Sequence, residues 1–131
     1  MKLLLDTHIL LWSLFEHQKL KQRVQETILN PANSIFVSTL SIWEISMKIS
    51  LGKLLIKNID PEDLFNTILQ SDFELLPLDP GPASCYHKLP QFSHRDPFDR
   101  MLICQAIYHR LTLVSQDKAM RHYLPYGLSV F

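Results

Sequence analysis

The chain's first apolar run sets the terms for the rest. Leu3-Leu4-Leu5 is uninterrupted, stops at Asp6, and is followed at once by a second apolar stretch from Ile9 to Trp12. A run without polar alternation suits a strand buried on both faces, as in the middle of a parallel sheet. Such sheets place their chemistry outside the carboxyl ends of their strands, which is where Asp6 would stand. Two readings are open there. A lone carboxylate in the middle of a molecule is costly unless something pairs with it, which makes Asp6 a candidate site residue. Asp is also a common N-cap, and Asp6 is placed to cap the helix starting near Ile9.

Beyond that run, short strands alternate with helices. Ile9 to Phe15 and Lys19 to Leu29 read as a helical pair, ended by Asn30-Pro31. Ser34 to Val37 reads as a second strand and Thr39 to Leu51 as a helix, with Gly52 where a C-terminal cap belongs. Asp60-Pro61 opens a further helix as cap and first residue, and Phe73 to Leu78 is a third strand. A turn-rich stretch follows, holding a short helix near Ala83 to His87. Phe98 to Arg110 is then a long helix, Leu111 to Val114 a fourth strand, Asp117 to His122 a helical turn, and Leu128 to Phe131 a last strand. This alternation predicts an α/β fold, a three-layer α/β/α sandwich around a central parallel sheet, formed by residues 1–131 as one domain.

Charge narrows the function classes. Thirteen basic and thirteen acidic residues cancel, so a nucleic-acid role must rest on local arrangement and not on bulk charge. Cys85 and Cys104 are too few for a disulfide framework. Lys2 and the apolar residues after it mimic a signal peptide only faintly, since Asp6 and His8 interrupt the run. No stretch is long enough to span a membrane, and a cytoplasmic protein is the expectation.

Four acids stand at positions that the strand and helix pattern makes equivalent. Asp6 and Asp117 follow the ends of two strands. Glu44 lies in the first turns of a helix leaving a strand end, and Asp99 begins a helix whose N-terminus lies over the carboxyl end of the strand it feeds. All four would converge on one edge of the sheet. Each also has a structural account. Ser41-Ile-Trp-Glu44 has the form of a capping box, with Lys48 one turn on for an ion pair. Asp99 suits a helix N-terminus, Asp117 suits a cap, and Asp96, before Pro97, is most simply the N-cap of the long helix. Taken together, crowded carboxylates repel, and the usual relief is proton sharing or a hard divalent cation. Oxygen-only ligands favour magnesium or manganese over zinc. His94, Arg95 and Arg100 are candidates to hold flanking phosphates, and His8 is a weaker one.

The ordered set of Leu5-Asp6-Thr7, Ser41-x-x-Glu44, Asp96-Pro-Phe-Asp-Arg100 running into Leu102-Ile-x-x-Ala106, and Leu113-Val-Ser-x-Asp117 resembles the PIN-domain nucleases. Within them it is similar to the VapC-type toxins of bacterial toxin–antitoxin pairs, over essentially the whole chain. The resemblance implies a magnesium- or manganese-dependent endoribonuclease that cleaves RNA and is neutralised by a cognate antitoxin protein. It also implies a homodimer, with an antitoxin segment lying in a groove between the early helices. By matching position, the family's acids fall on Asp6, Glu44, Asp99 and Asp117, with Asp96 as an additional possible metal ligand, and its hydroxyl near the fourth acid falls on Ser115. Trp12, Ile42, Trp43 and the run Leu54 to Ile56 are more apolar side chains than one small core easily takes, and that run is the expected exposed patch.

Two other readings compete. A receiver-like phosphoacceptor domain also gathers acids at strand ends, but it needs an acidic pair where this chain has Thr7 and His8 after Asp6. The nearer rival is an inert PIN-like binding scaffold whose acids act only as helix caps.

Overall fold

Leu3, Leu4 and Leu5 are fully buried in β1 (Lys2–Leu5), the middle strand of a five-stranded sheet, as an unbroken apolar run requires. The structure, a computed structural model, describes residues 1–56, 60–92 and 95–131. From β1 the chain passes through α1 (Thr7–Phe15), α2 (Gln22–Leu29), β2 (Ser34–Ser38) and α3 (Thr39–Ser50). It continues through α4 (Pro61–Gln70), β3 (Glu74–Leu76), α5 (Pro80–Cys85), α6 (Pro97–His109), β4 (Thr112–Val114) and β5 (Ser129–Val130). Short 3-10 helices cover His17–Lys19, Tyr86–Lys88 and Lys118–Tyr126.

The strand order is β3-β2-β1-β4-β5, with every pairing parallel. In register, Leu5 lies beside Val37 on one side and Val114 on the other. The chain moves outward from β1 through β2 to β3, then returns to the far side of β1 to lay down β4. The switch point of the sheet therefore falls between β1 and β4, where connections diverge and leave a crevice. The Asp6 amide donates to the Val114 carbonyl at 3.1 Å, closing the backbone at that point.

Successive side chains of a strand point to opposite faces, and β1 divides its leucines accordingly. Leu3 and Leu5 join Ile9, Leu10, Val24, Ile45 and Ile68, side chains of α1 to α4. Leu4 joins Leu102, Ile103 and Tyr123 from α6 and the last 3-10 helix. These are the two cores of an α/β/α sandwich. Each fully buried leucine contributes roughly 1.5–3 kcal/mol, so this strand anchors both layers.

Local signals behaved unevenly. Gly52 does complete the end of α3: it adopts φ +70°, its amide donates to Ile49 and the Lys53 amide to Lys48, the paired bonds of a Schellman cap. Asp60 occupies the N-cap of α4, but its side chain makes no capping bond. The short helix expected near Ala83 starts earlier, at Pro80, because Asp79-Pro80 supplies a rigid helical start.

Candidate active site

Asp6 is a buried carboxylate and also a helix cap. It is 5% exposed at the end of β1, and its Oδ1 accepts from the Ile9 amide at 2.9 Å as the N-cap of α1. Burial pushes its carboxyl above the ordinary range, and the nearby Asp117 charge pushes the same way. The Ser115 hydroxyl, the Ile9 amide and His8 pull it back only in part. Ser115 and Asp117 come from the segment after β4: the Asp117 amide donates to Ser115 Oγ at 3.1 Å. Asp117 is exposed, and its Oδ1 caps the last 3-10 helix by accepting from Ala119 at 2.9 Å.

Glu44 is held by a different arrangement from the expected one. Ser38, not Ser41, is the N-cap of α3, its Oγ accepting from the Leu40 amide at 3.1 Å. The capping box is therefore not formed, because the helix starts a turn earlier than that motif implies. Glu44 falls in the second turn, 3% exposed, and faces α1. The Thr7 hydroxyl donates to Glu44 Oε1 at 2.7 Å and stands 3.0 Å from Ser41 Oγ. The expected partner Lys48 is in place, with Nζ 2.7 Å from Glu44 Oε2. Glu44 raises the Lys48 pKa against the effect of burial, and Asp96 and Asp99 add to the pull.

Asp96 caps α6, its Oδ1 accepting from the Phe98 amide at 2.8 Å, and is exposed. Asp99, three residues on and still in the first turn, is half-buried. The acids thus fall into two neighbouring groups. Asp6 stands with Ser115 and Asp117, and Glu44 stands with Lys48 near Asp96 and Asp99. Thr7, next to Asp6 in the chain, ties the groups together through Glu44. Among the described residues, no three acidic, histidine or cysteine side chains are gathered into a ready-made metal cage.

The donor set nonetheless suits a hard cation. It is made of oxygens. One buried carboxylate, Asp6, has its charge disfavoured by burial, and the other, Glu44, is already matched by an ammonium group. A divalent ion would supply the positive charge that Asp6 lacks.

Arg100 corrects the sequence reading. It is 2% exposed, and its guanidinium donates to the carbonyls of Leu89 at 2.9 Å and Pro90 at 3.1 Å and to the Tyr86 hydroxyl at 3.1 Å. It fastens the 86–90 segment to α6 and is not presented to a phosphate. The reason lies in position: Arg100 sits beside Asp99 in sequence but about 100° around the helix from it. Arg95 is exposed, and His94 lies outside the described residues. Thr7 joins the candidate site through its bond to Glu44. Its signal was a hydroxyl at the first helical position after an acid, facing the Ser41 and Glu44 side of α3.

The apolar surplus is only partly absorbed. Trp12, Ile42, Leu54 and Ile56 are half-buried against the core, whereas Leu55 is 85% and Trp43 61% exposed. Leu55 borders a groove with Trp12 and Phe15 of α1. Trp43 stacks edge-on against Phe98, ring centres 5.3 Å apart, on the wall of a second apolar groove.

A family model for the PIN domain matches residues 3–123. No curated protein matches the chain by sequence. Among solved structures, the chain is similar to one of VapBC2 from Rickettsia felis, a complex bound to a DNA fragment from its promoter. The TM-score is 0.67 at 18% identity, covering 100% of this chain and 98% of that one. It is likewise similar to VapBC-1 from nontypeable Haemophilus influenzae, with TM-score 0.66, 17% identity and coverage of 100% and 97%. FitAcB from Neisseria gonorrhoeae gives TM-score 0.63 and 21% identity over 98% of this chain and 96% of that one. At these identities the likeness is one of fold.

Proposed function

The chain belongs to the PIN-domain family, and from that premise we propose that it is a magnesium- or manganese-dependent endoribonuclease, the toxin of a toxin–antitoxin pair. The observation that carries this reading is the buried Asp6 at the sheet's switch point, with Ser115 and Asp117 beside it and Thr7 linking it to the buried Glu44. A fold that wanted only a helix cap has no use for two buried carboxylates at one edge, since burying charge is costly.

Asp6, Asp117, Asp99 and Glu44 are the residues that would hold the cation, with Asp96 an additional candidate. A divalent ion held there would supply Lewis acidity to a coordinated water and offset charge on the departing oxygen. The chain's own residues do the positioning. The Asp6 amide donates to the Val114 carbonyl and the Asp117 amide to Ser115 Oγ, which fixes the segment carrying Asp117 beside Asp6. Thr7 fixes Glu44. Lys48 holds positive charge beside Glu44 and toward Asp96 and Asp99, which keeps these three carboxylates tolerable in one region.

Partners follow from the exposed apolar faces. The groove bordered by Trp12, Phe15 and Leu55 is the proposed seat of the antitoxin segment, and the Trp43–Phe98 face is the proposed homodimer contact. Among the described residues no helix is long and apolar enough to cross a membrane, and we place the protein in the cytoplasm.

One set of observations favours the second reading, an inert scaffold. Asp6, Asp96 and Asp117 all cap helices, and Glu44 is ion-paired. A paired measurement separates the two. Manganese should raise the Tm of the protein, because a ligand bound only by the folded state stabilises it, and it should switch on RNA cleavage that EDTA abolishes. A Tm indifferent to manganese, with no cleavage of any RNA, leaves the scaffold.

A further inference from the structure

We propose that Lys21, Arg23, Lys118 and Arg121 form a phosphate-binding channel that carries the backbone of single-stranded RNA to the acidic edge, an inference that rests on the nuclease reading and extends it. The four side chains line a cavity of about 260 Å³ whose wall also includes Ser115 and Asp117. The Asp6 amide donates to the carbonyl of Val114, the residue before Ser115, so the cavity opens beside the candidate site.

Two separate elements supply the cations. Lys21 is the N-cap position of α2 and Arg23 its second residue, while Lys118 and Arg121 lie in the 3-10 helix capped by Asp117. Residues three apart eclipse one another in a 3-10 helix, so Lys118 and Arg121 stand on one side of it. Arg23 lies over the Phe131 ring, 4.3 Å from its centre, which steadies the guanidinium at the cavity wall. All four residues are exposed, and among the described residues no ion pair joins any of them to a carboxylate. Their charge is therefore not spent within the fold.

The concentration is local, because the whole chain has thirteen basic and thirteen acidic residues. A phosphodiester placed at Asp6 and Asp117 brings its neighbouring phosphates with it along the strand. These cations lie where such a strand would leave the edge on the β4 side. Phosphates that recur at every nucleotide suit a wall with cations on two elements, and the Arg23–Phe131 pair offers a flat face for a base.

The test measures binding without chemistry. A short fluorescein-labelled oligouridylate is titrated with the full-length protein in EDTA, by anisotropy, across a range of salt concentrations. The double variants Lys21→Gln/Arg23→Gln and Lys118→Gln/Arg121→Gln should each weaken binding about tenfold. Each single-strand phosphate contact contributes about −0.7 to the log–log salt slope, so each pair should make the slope shallower by about 1.4. Lys88→Gln/Arg110→Gln removes two exposed cations that do not line the cavity and should change neither quantity. Arg23→Lys, which keeps the charge but loses the planar stack, should retain most of the affinity. The proposal is overturned if the two channel variants bind as the wild type does, or if the control pair loses as much. It is also overturned if the channel variants keep RNA but lose an oligoglutamate peptide, which would make the site one for an acidic protein segment. Wild-type protein that binds through the channel yet cleaves no RNA with manganese would end the nuclease reading and leave the channel standing.

Discussion

At the scale of single residues, the acids of this edge differ in what they cost the fold. Asp6 is buried and its carboxyl lies above the ordinary value of 3.8, mainly because burial disfavours the charge. The folded state therefore holds that proton more tightly than the unfolded chain does. Stability from this group is fully present below 3.8 and is lost as pH rises through the folded value. In metal-free buffer at neutral pH, Asp6→Asn should raise the Tm, since Asn caps nearly as well and carries no charge. The gain should shrink on acidification, while RNA cleavage is lost at every pH. A Tm that falls at neutral pH would show that the carboxylate itself supports the fold. Asp96 and Asp99 should part company in the same assays. Asp96 caps the Phe98 amide and is exposed, so Asp96→Asn should keep stability and most activity. Asp99→Asn keeps the shape but loses the charge that a divalent ion needs. It should lose cleavage and the manganese-induced rise in Tm, and equal losses in both variants would put Asp96 among the ligands.

At the scale of elements, α6 shows how one helix serves site and core together. Its first turn carries Asp96 and Asp99 at the edge, while Leu102, Ile103 and Ala106 pack on the sheet. Arg100, between them, is turned to the 86–90 segment and is buried with its donors on two carbonyls and a hydroxyl. Replacing it strands those acceptors, at about 1–3 kcal/mol for each one left unpaired. Arg100→Ala should therefore cost about 3 kcal/mol or more and lower the Tm by roughly 10 °C in a domain of this length. Thermal melting followed by circular dichroism reads this directly. A variant that melts normally but binds RNA weakly would return Arg100 to the substrate surface.

At the scale of the whole molecule, the two cores consume most of the apolar side chains, and the remainder gathers on two faces. Leu55, 85% exposed, contributes little to its own core, so Leu55→Asp should change the stability by no more than about 0.5 kcal/mol, the range of ordinary surface substitutions, and barely move the Tm. It should still weaken antitoxin binding strongly, as an apolar residue central to an interface does. Co-purification with the antitoxin, or inhibition of the RNase by it, is the readout. A steep fall in Tm with inhibition intact would assign Leu55 to the core.

How much of this was legible from the chain alone depends on how far the deciding interaction reaches. The apolar run of β1, the strand–helix alternation, the Gly52 cap and the Asp96-Pro97 helix start are all set by residues within a few positions of each other. Periodicity and backbone preference suffice for them, and they determined the α/β/α layering. The local signals failed where a distant residue competed for the same group. Ser41-x-x-Glu44 has the form of a capping box, but Ser38 takes the cap, so Ser41 and Glu44 turn to Thr7, more than thirty positions away in sequence. Arg100 reads as a cation beside an acid, but helical rotation points it to carbonyls ten and eleven positions earlier. The four cations of the channel come from residues about a hundred positions apart, and only the order β1-β4-β5 brings α2 and the last 3-10 helix to one cavity. Sequence pattern determines which face of an element is apolar. Which polar groups meet across the gaps between elements is settled by the strand order and by the rotation of each helix, and only the tertiary structure contains those.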